Sequence, residues 1–164
     1  MKKLIKKVLS LFFTAIVKNK AKVYGDKLSI NFFSKVNTNT ILGTNVNMNG
    51  LEISGKGSVK IGDNFHSGKN CLLITQNHNH KGSKIPYDNT YILKDIIIED
   101  NVWIGHNVTI IGACTIGEGA IIQAGSVVVK DVNALDIVGG NPAKVFSKRD
   151  KEHYFDLKEK GEFH

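Results

Sequence analysis

The sequence predicts an all-β fold, a parallel β-helix of hexapeptide repeats with an N-terminal amphipathic helix, an external loop and a short C-terminal helical arm. The first reason is an unbroken beat from Ile98 to Asn133, reading IEDNVW, IGHNVT, IIGACT, IGEGAI, IQAGSV, VVKDVN. The second is that each position in the beat has a fixed character. Its first residue is always aliphatic (Ile98, Ile104, Ile110, Ile116, Ile122, Val128), and its fifth is small or β-branched (Val102, Val108, Cys114, Ala120, Ser126, Val132). A helix would repeat its apolar positions every 3.6 residues, so a strict period of six means short strands turning at fixed intervals. That period is the mark of a parallel β-helix. The third reason is where the beat stops, because a long polar segment interrupts it once.

Taken in chain order, residues 1–20 place Lys2, Lys3, Lys6, Lys7, Ser10, Thr14 and Lys18 on one side of a helical wheel. Leu4, Ile5, Val8, Leu9, Leu11, Phe12, Ala15 and Ile16 take the other. Two roles are open for such a helix: peripheral contact with an anionic membrane surface, or a cap over the open end of the β-helix that also blocks edge pairing. The β-helix is expected over 21–146, with Ile30 to Gln76 as irregular first coils carrying LGTNVN and IGDNFH. In each hexad the aliphatic residue fills the interior, the fifth position admits a small one, and Gly, Asn or Asp serves the corner. Three hexads close one triangular coil of roughly eighteen residues, and only stacked coils bury a core. The external loop, residues 79–95, falls within NHNHKGSKIPYDNTYILKD, and an irregular insertion in a periodic fold is a candidate for function. Pro142 ends the repeat, and 147–164 form a charged, partly helical arm.

The ordered series Asn101-Val102-Trp103-Ile104-Gly105, Thr115-Ile116-Gly117, Ala124-Gly125-Ser126-Val127-Val128, Lys130-Asp131-Val132 and Gly140-Asn141-Pro142-Ala143-Lys144-Val145 resembles the hexapeptide acyltransferases. Within them it most resembles the sugar and polysaccharide O-acetyltransferases, which include the maltose, galactoside and colanic-acid enzymes. The match covers about residues 73–148. The resemblance implies a left-handed β-helix and a homotrimer with intersubunit active sites. It implies acetyl transfer from acetyl-CoA to a sugar or nucleotide-sugar hydroxyl, in surface polysaccharide biosynthesis, with no metal.

By position, Thr75-Gln76-Asn77-His78 aligns with the segment that carries the catalytic histidine, which makes His78 the expected general base. A neutral imidazole suits the removal of a hydroxyl proton, and the developing oxyanion then needs a preorganised donor. His80, two residues on, is the rival. His66 and His106 are expected to be ordinary solvated histidines. Cofactor contacts carried over from the resemblance are Trp103 beside the pantetheine and Ala124, Gly125 and Ser126 along its path. Gln123 stands where a glycine is usual. Lys130, Lys144, Lys148 and Arg149 are candidates for the CoA phosphates.

Other functions fit less well. An N-acetyltransferase acting on a nucleotide-linked amino sugar is the near alternative, since the same base serves an amine. A γ-type carbonic anhydrase would require a second imidazole where Ile111 stands, beyond Gly105-His106, and catalytic zinc takes three protein ligands. A non-catalytic β-helix is the remaining possibility. The 164 residues suffice for one core. The two cysteines, Cys71 and Cys114, indicate no disulfide framework, are not expected to act as nucleophiles, and Cys114 occupies an inward position. No stretch reaches the roughly 18 apolar residues of a membrane span and no signal-peptide cleavage pattern appears, so cytoplasmic residence is expected, with peripheral contact at the inner membrane face one of the two open roles of the N-terminal helix. The net charge of +7 comes without any nucleic-acid-binding motif, so nucleic acid is not an expected partner.

Overall fold

The computed structural model describes residues 2–164, with side chains from Leu4 onward. Met1 and the side chains of Lys2 and Lys3, assigned above to the basic face of the helix, lie outside the described residues. Helix α1 (Lys2–Lys20) leads into a first coil with β1 (Val23–Tyr24) and β2 (Ser29–Phe32). The second coil holds β3 (Thr40–Leu42) and β4 (Asn47–Ser54), the third β5 (Val59–Ile61) and β6 (His66–Ile74). A projecting pair, β7 (Gln76–His78) and β8 (Tyr91–Leu93), precedes the fourth coil of β9 (Ile96–Ile98), β10 (Trp103–Ile104) and β11 (Thr109–Ile111). The fifth contains β12 (Cys114–Ile116), β13 (Ile121–Ile122) and β14 (Val127–Val128). After them come β15 (Asp136–Gly139), β16 (Lys144–Lys148) and α2 (Lys151–Glu159).

The strands stack in parallel, and the register reads the repeat directly. Residues eighteen apart pair, such as Trp103 with Ile121 and Ile96 with Cys114. Across the projection they are thirty-seven apart, as in His66 with Trp103 and Val59 with Ile96. The excess of nineteen residues is the insertion. One face is the sheet β1-β3-β5-β9-β12, with the bridge Ile116–Val132 adding a sixth rung. A second face carries β2, the first halves of β4 and β6, then β10, β13 and β15. A third carries the second halves of β4 and β6 with β11 and β14. The result is a parallel stacked-coil β-solenoid, as expected.

Every first and fifth hexad position from Ile98 to Val132 is buried. The aliphatic first residues and smaller fifth residues fill one continuous core, and this burial is the main stabilising contribution. Corners are built by short polar side chains. Asn45, Asn64 and Asn101 adopt φ of +58°, +54° and +60°, a region asparagine tolerates. They form a ladder in which Asn45 Nδ2 donates to Asn64 Oδ1 at 3.0 Å and Asn64 Nδ2 to Asn101 Oδ1 at 2.9 Å. Asp63, Asp95, Asp100 and Asp131 each accept a backbone N–H from the adjacent coil at 2.7 Å.

Helix α1 caps the first coil, through a face other than the apolar one. Ser29 N–H donates to Val46 O in the second coil, whereas the next amide, Ile30, points out of the end and donates to Thr14 Oγ1 at 3.2 Å. Ser10 Oγ donates to Asn31 Oδ1 at 3.4 Å, Val17 is fully buried in the core with Ile30, and Phe13 packs edge-on against Phe33. The docked stripe is therefore Ser10, Phe13, Thr14 and Val17. The wheel groups Ser10 and Thr14 with the lysines on the basic polar side, not with the aliphatic residues. The physical reason for the difference is that an edge coil presents unpaired backbone groups, which hydroxyls satisfy and aliphatic side chains do not. Among the described residues no helix is long and apolar enough to cross a membrane.

Candidate active site

The insertion is an antiparallel ribbon whose first strand carries His78. Gln76, Asn77 and His78 pair with Leu93, Ile92 and Tyr91. The projection thus begins at Gln76, and the expected loop 79–95 supplies its tip and returning strand. Asp88 organises the tip by accepting the Ser83 and Thr90 amides at 2.9 Å each and the Thr90 hydroxyl. These hydrogen bonds, the hydroxyl's first, pull its carboxyl down to about 2. Thr75, at the root, is buried and donates from Oγ1 to Ser54 O at 2.9 Å, which anchors the ribbon to the prism.

His78 is exposed and is held by aromatic rings. Its ring stacks on Tyr87, with centroids 3.8 Å apart and planes 16° apart, and is tilted against Tyr91 at 4.7 Å. His80 is also exposed but has neither contact. Tyr87 and Tyr91 were missed in the sequence. The available signal was the match between Gln76–His78 and Tyr91–Leu93 as two arms of one hairpin, which sets Tyr91 across from His78.

His106 is an exposed corner residue. Its Nδ1 accepts the Lys69 N–H at 2.7 Å, the role that aspartates fill at other corners. His66 is half-buried beside His164, with ring centroids 5.8 Å apart, and burial first, then His164, lowers its pKa below the usual histidine value. Cys71 and Cys114 are free and buried. Burial chiefly raises both thiols, that of Cys114 to about 11 with help from Asp131, which suits packing rather than nucleophilic attack. Among the described residues no group of three or more His, Cys, Asp or Glu side chains gathers as a metal site.

Trp103 stands half-exposed on β10 and walls a cavity of about 460 Å³ with His66, Arg149, Tyr154, Lys158 and the C-terminal residues. Helix α2 closes one side. Its N-cap Asp150 accepts the His153 N–H at 2.8 Å, and its Tyr154 hydroxyl bonds Glu118 and Asn101. Burial opposes ionisation of Glu118, but hydrogen bonds from Lys158, Tyr154 and Asn101 outweigh it and hold the carboxyl below its usual range. Burial and the Glu118 hydrogen bond push Tyr154 up to about 12.

Among the remaining candidates, Ala124 and Gly125 lie exposed on the corner after β13. Gly125 has φ +75° and nothing within 4 Å of where a Cβ would sit, so a ligand can approach its backbone. Ser126 is turned into the prism, where Oγ donates to Gln123 O at 2.6 Å and accepts Gly140 N–H at 3.2 Å. The residue as a whole is buried. Lys130 and Lys144 are exposed. Lys148 is paired with buried Asp136 at 3.1 Å. Arg149 Nε donates to Gly119 O at 2.7 Å and its guanidinium lies over Tyr154. Trp103 and Arg149 share one cavity, but His78 rises from a different corner, the one between Ile74 and Ile96.

A prism of hexads with an extruded ribbon defines a class of proteins, the hexapeptide-repeat β-solenoids. Residues 95–130 match the family described as bacterial transferase hexapeptide (six repeats). Among solved structures, a hexapeptide-repeat-containing acetyltransferase from Vibrio cholerae complexed with acetyl coenzyme A is 26% identical. The alignment covers 88% of this chain and 86% of that one, with a TM-score of 0.69. A galactoside acetyltransferase in complex with coenzyme A is 25% identical, covering 93% and 83%, with a TM-score of 0.68. A Schizosaccharomyces pombe protein with a provisional acetyltransferase name is 38% identical over 98 residues, 57% of this chain and 45% of its own length. The chain spans about half or less of the length of the curated relatives it matches.

Proposed function

We propose that this protein is an acetyl-CoA-dependent O-acetyltransferase acting on a sugar or nucleotide-sugar hydroxyl, with His78 as general base, in surface polysaccharide biosynthesis. The observation that carries the reading is the exposed imidazole of His78, fixed between two tyrosines on a ribbon that the repeat extrudes. His78 takes the proton from the acceptor hydroxyl as that oxygen attacks the acetyl carbonyl. The acetyl donor supplies a thioester, and its sulfur leaves as the thiol once it has received that proton. The donor fits against the open corner at Ala124 and Gly125 and the half-exposed face of Trp103. Lys130, Lys144 and Arg149 are the cations nearest in role to its phosphates. Ser126 is buried beneath the Ala124 and Gly125 corner and supports it from inside the prism.

Because His78 and Trp103 stand on different corners of one prism, a site using both draws them from neighbouring copies, as in a homotrimer. The test is an acetyl-CoA turnover assay against a panel of sugars, nucleotide sugars and amino sugars, read by free thiol and by product mass. A mass gain of one acetyl group on a hydroxyl supports the reading. Acetylation confined to amino sugars would replace it with N-acetyl transfer, and no thiol release with any acceptor would remove it.

A further inference from the structure

The whole formal charge excess of this protein sits in its first twenty-five residues. Lys2, Lys3, Lys6, Lys7, Lys18, Lys20 and Lys22 precede the first carboxylate, Asp26, while the remainder balances fifteen cations against fifteen anions. The same segment carries the largest run of uncovered aliphatic side chains. Leu4, Leu11 and Phe12 are 67%, 63% and 60% exposed, with Ile5, Val8 and Leu9 beside them. At 100° per residue these side chains lie opposite the Ser10, Phe13, Thr14 and Val17 stripe that docks on the first coil. The apolar face therefore looks outward along the prism axis. A monomer surface seldom carries such a patch without a partner.

We propose that α1 seats the end of the prism on an anionic lipid bilayer, lying in the plane of the interface. The aliphatic face would enter the acyl boundary and the flanking lysines would meet lipid phosphates, the pairing that interfacial helices use. An acidic protein surface would match the lysines but not the aliphatic face between them. Side-by-side prisms all turn this face the same way, so an assembly would gain avidity from several helices at once.

The full chain is mixed with vesicles of phosphatidylcholine alone and with about one-third phosphatidylglycerol, then sedimented at low and high salt. Binding to the anionic vesicles only, weakened by salt, is the expected result. Leu11→Asp with Phe12→Asp reduces binding at least about tenfold, and Lys6→Glu with Lys7→Glu does likewise. Leu11 and Phe12 point away from the prism and Lys6 and Lys7 are exposed, so thermal unfolding of both variants stays that of the wild type. Wild-type protein left in the supernatant overturns the proposal, as does binding that ignores these substitutions. A wild-type assembly in solution that the Leu11 and Phe12 substitutions split would assign the face to a second copy instead.

Discussion

His78 and His106 are both imidazoles at turns of the same prism, and their neighbours give them opposite tasks. At His106 the Nδ1 lone pair is occupied by the Lys69 amide, so the ring serves as a strut between coils. At His78 the ring stacks on Tyr87 and tilts against Tyr91, with the side chain exposed. His78→Ala is accordingly expected to lower kcat by roughly 10²–10⁴-fold with thermal stability unchanged, measured by thiol release. The same loss in His80→Ala would transfer the role to His80. His106→Ala strands a backbone donor and should cost about 1 kcal/mol in denaturant unfolding while leaving turnover near wild type. A large loss of activity with stability intact would refute the strut.

At the scale of elements, ribbon and C-terminal helix are held by different forces. The ribbon is a two-stranded hairpin anchored by Thr75 and braced at its tip by Asp88, with little apolar burial of its own. Helix α2 docks through Tyr154, which is buried, and through the Glu118 cluster. Glu118 has its folded pKa below the unfolded 4.5, so its contribution is present above about pH 4.5 and is lost as pH falls through the folded value. Amides of α2 should therefore exchange hydrogen faster at pH 3 than at pH 6 after correction for intrinsic rates, and Glu118→Gln should reduce that difference. Equal protection at both pH values would show that apolar contact alone holds the helix. The carboxylate and Lys158 are partly exposed, so the gain from their pairing is modest.

For the whole molecule, the separation of His78 from Trp103 makes assembly part of the functional argument. A trimer of the 18.0 kDa chain would have a mass of about 54 kDa by sedimentation or light scattering. A sharper measurement mixes two inactive variants, His78→Ala and Trp103→Ala, under conditions that exchange subunits. Neighbouring copies that share a site should regain part of the wild-type activity, because some interfaces then combine an intact His78 with an intact Trp103. Failure of mixed trimers to recover any activity would place both residues in one subunit's site.

The hexad pattern alone determined the solenoid, because a period of six leaves each strand two or three residues and forces aliphatic side chains inward at one place per turn. Burial of Ile98, Ile104, Ile110 and their fifth-position partners follows from that spacing without any long-range information. The identity of His78 as a candidate was also legible, through the break in the beat and its resemblance to known acetyltransferases. What the pattern could not carry was anything decided between coils or outside them. The Tyr87 stack depends on how a nineteen-residue insertion folds back on itself. His106 became a corner strut because Lys69, thirty-seven residues earlier, lies directly beneath it. The docking face of α1 was not legible because helical periodicity ranks faces only by hydrophobicity. At the end of a prism the open Ile30 amide needs an acceptor, which Thr14 supplies, while Ser10 bonds the Asn31 side chain.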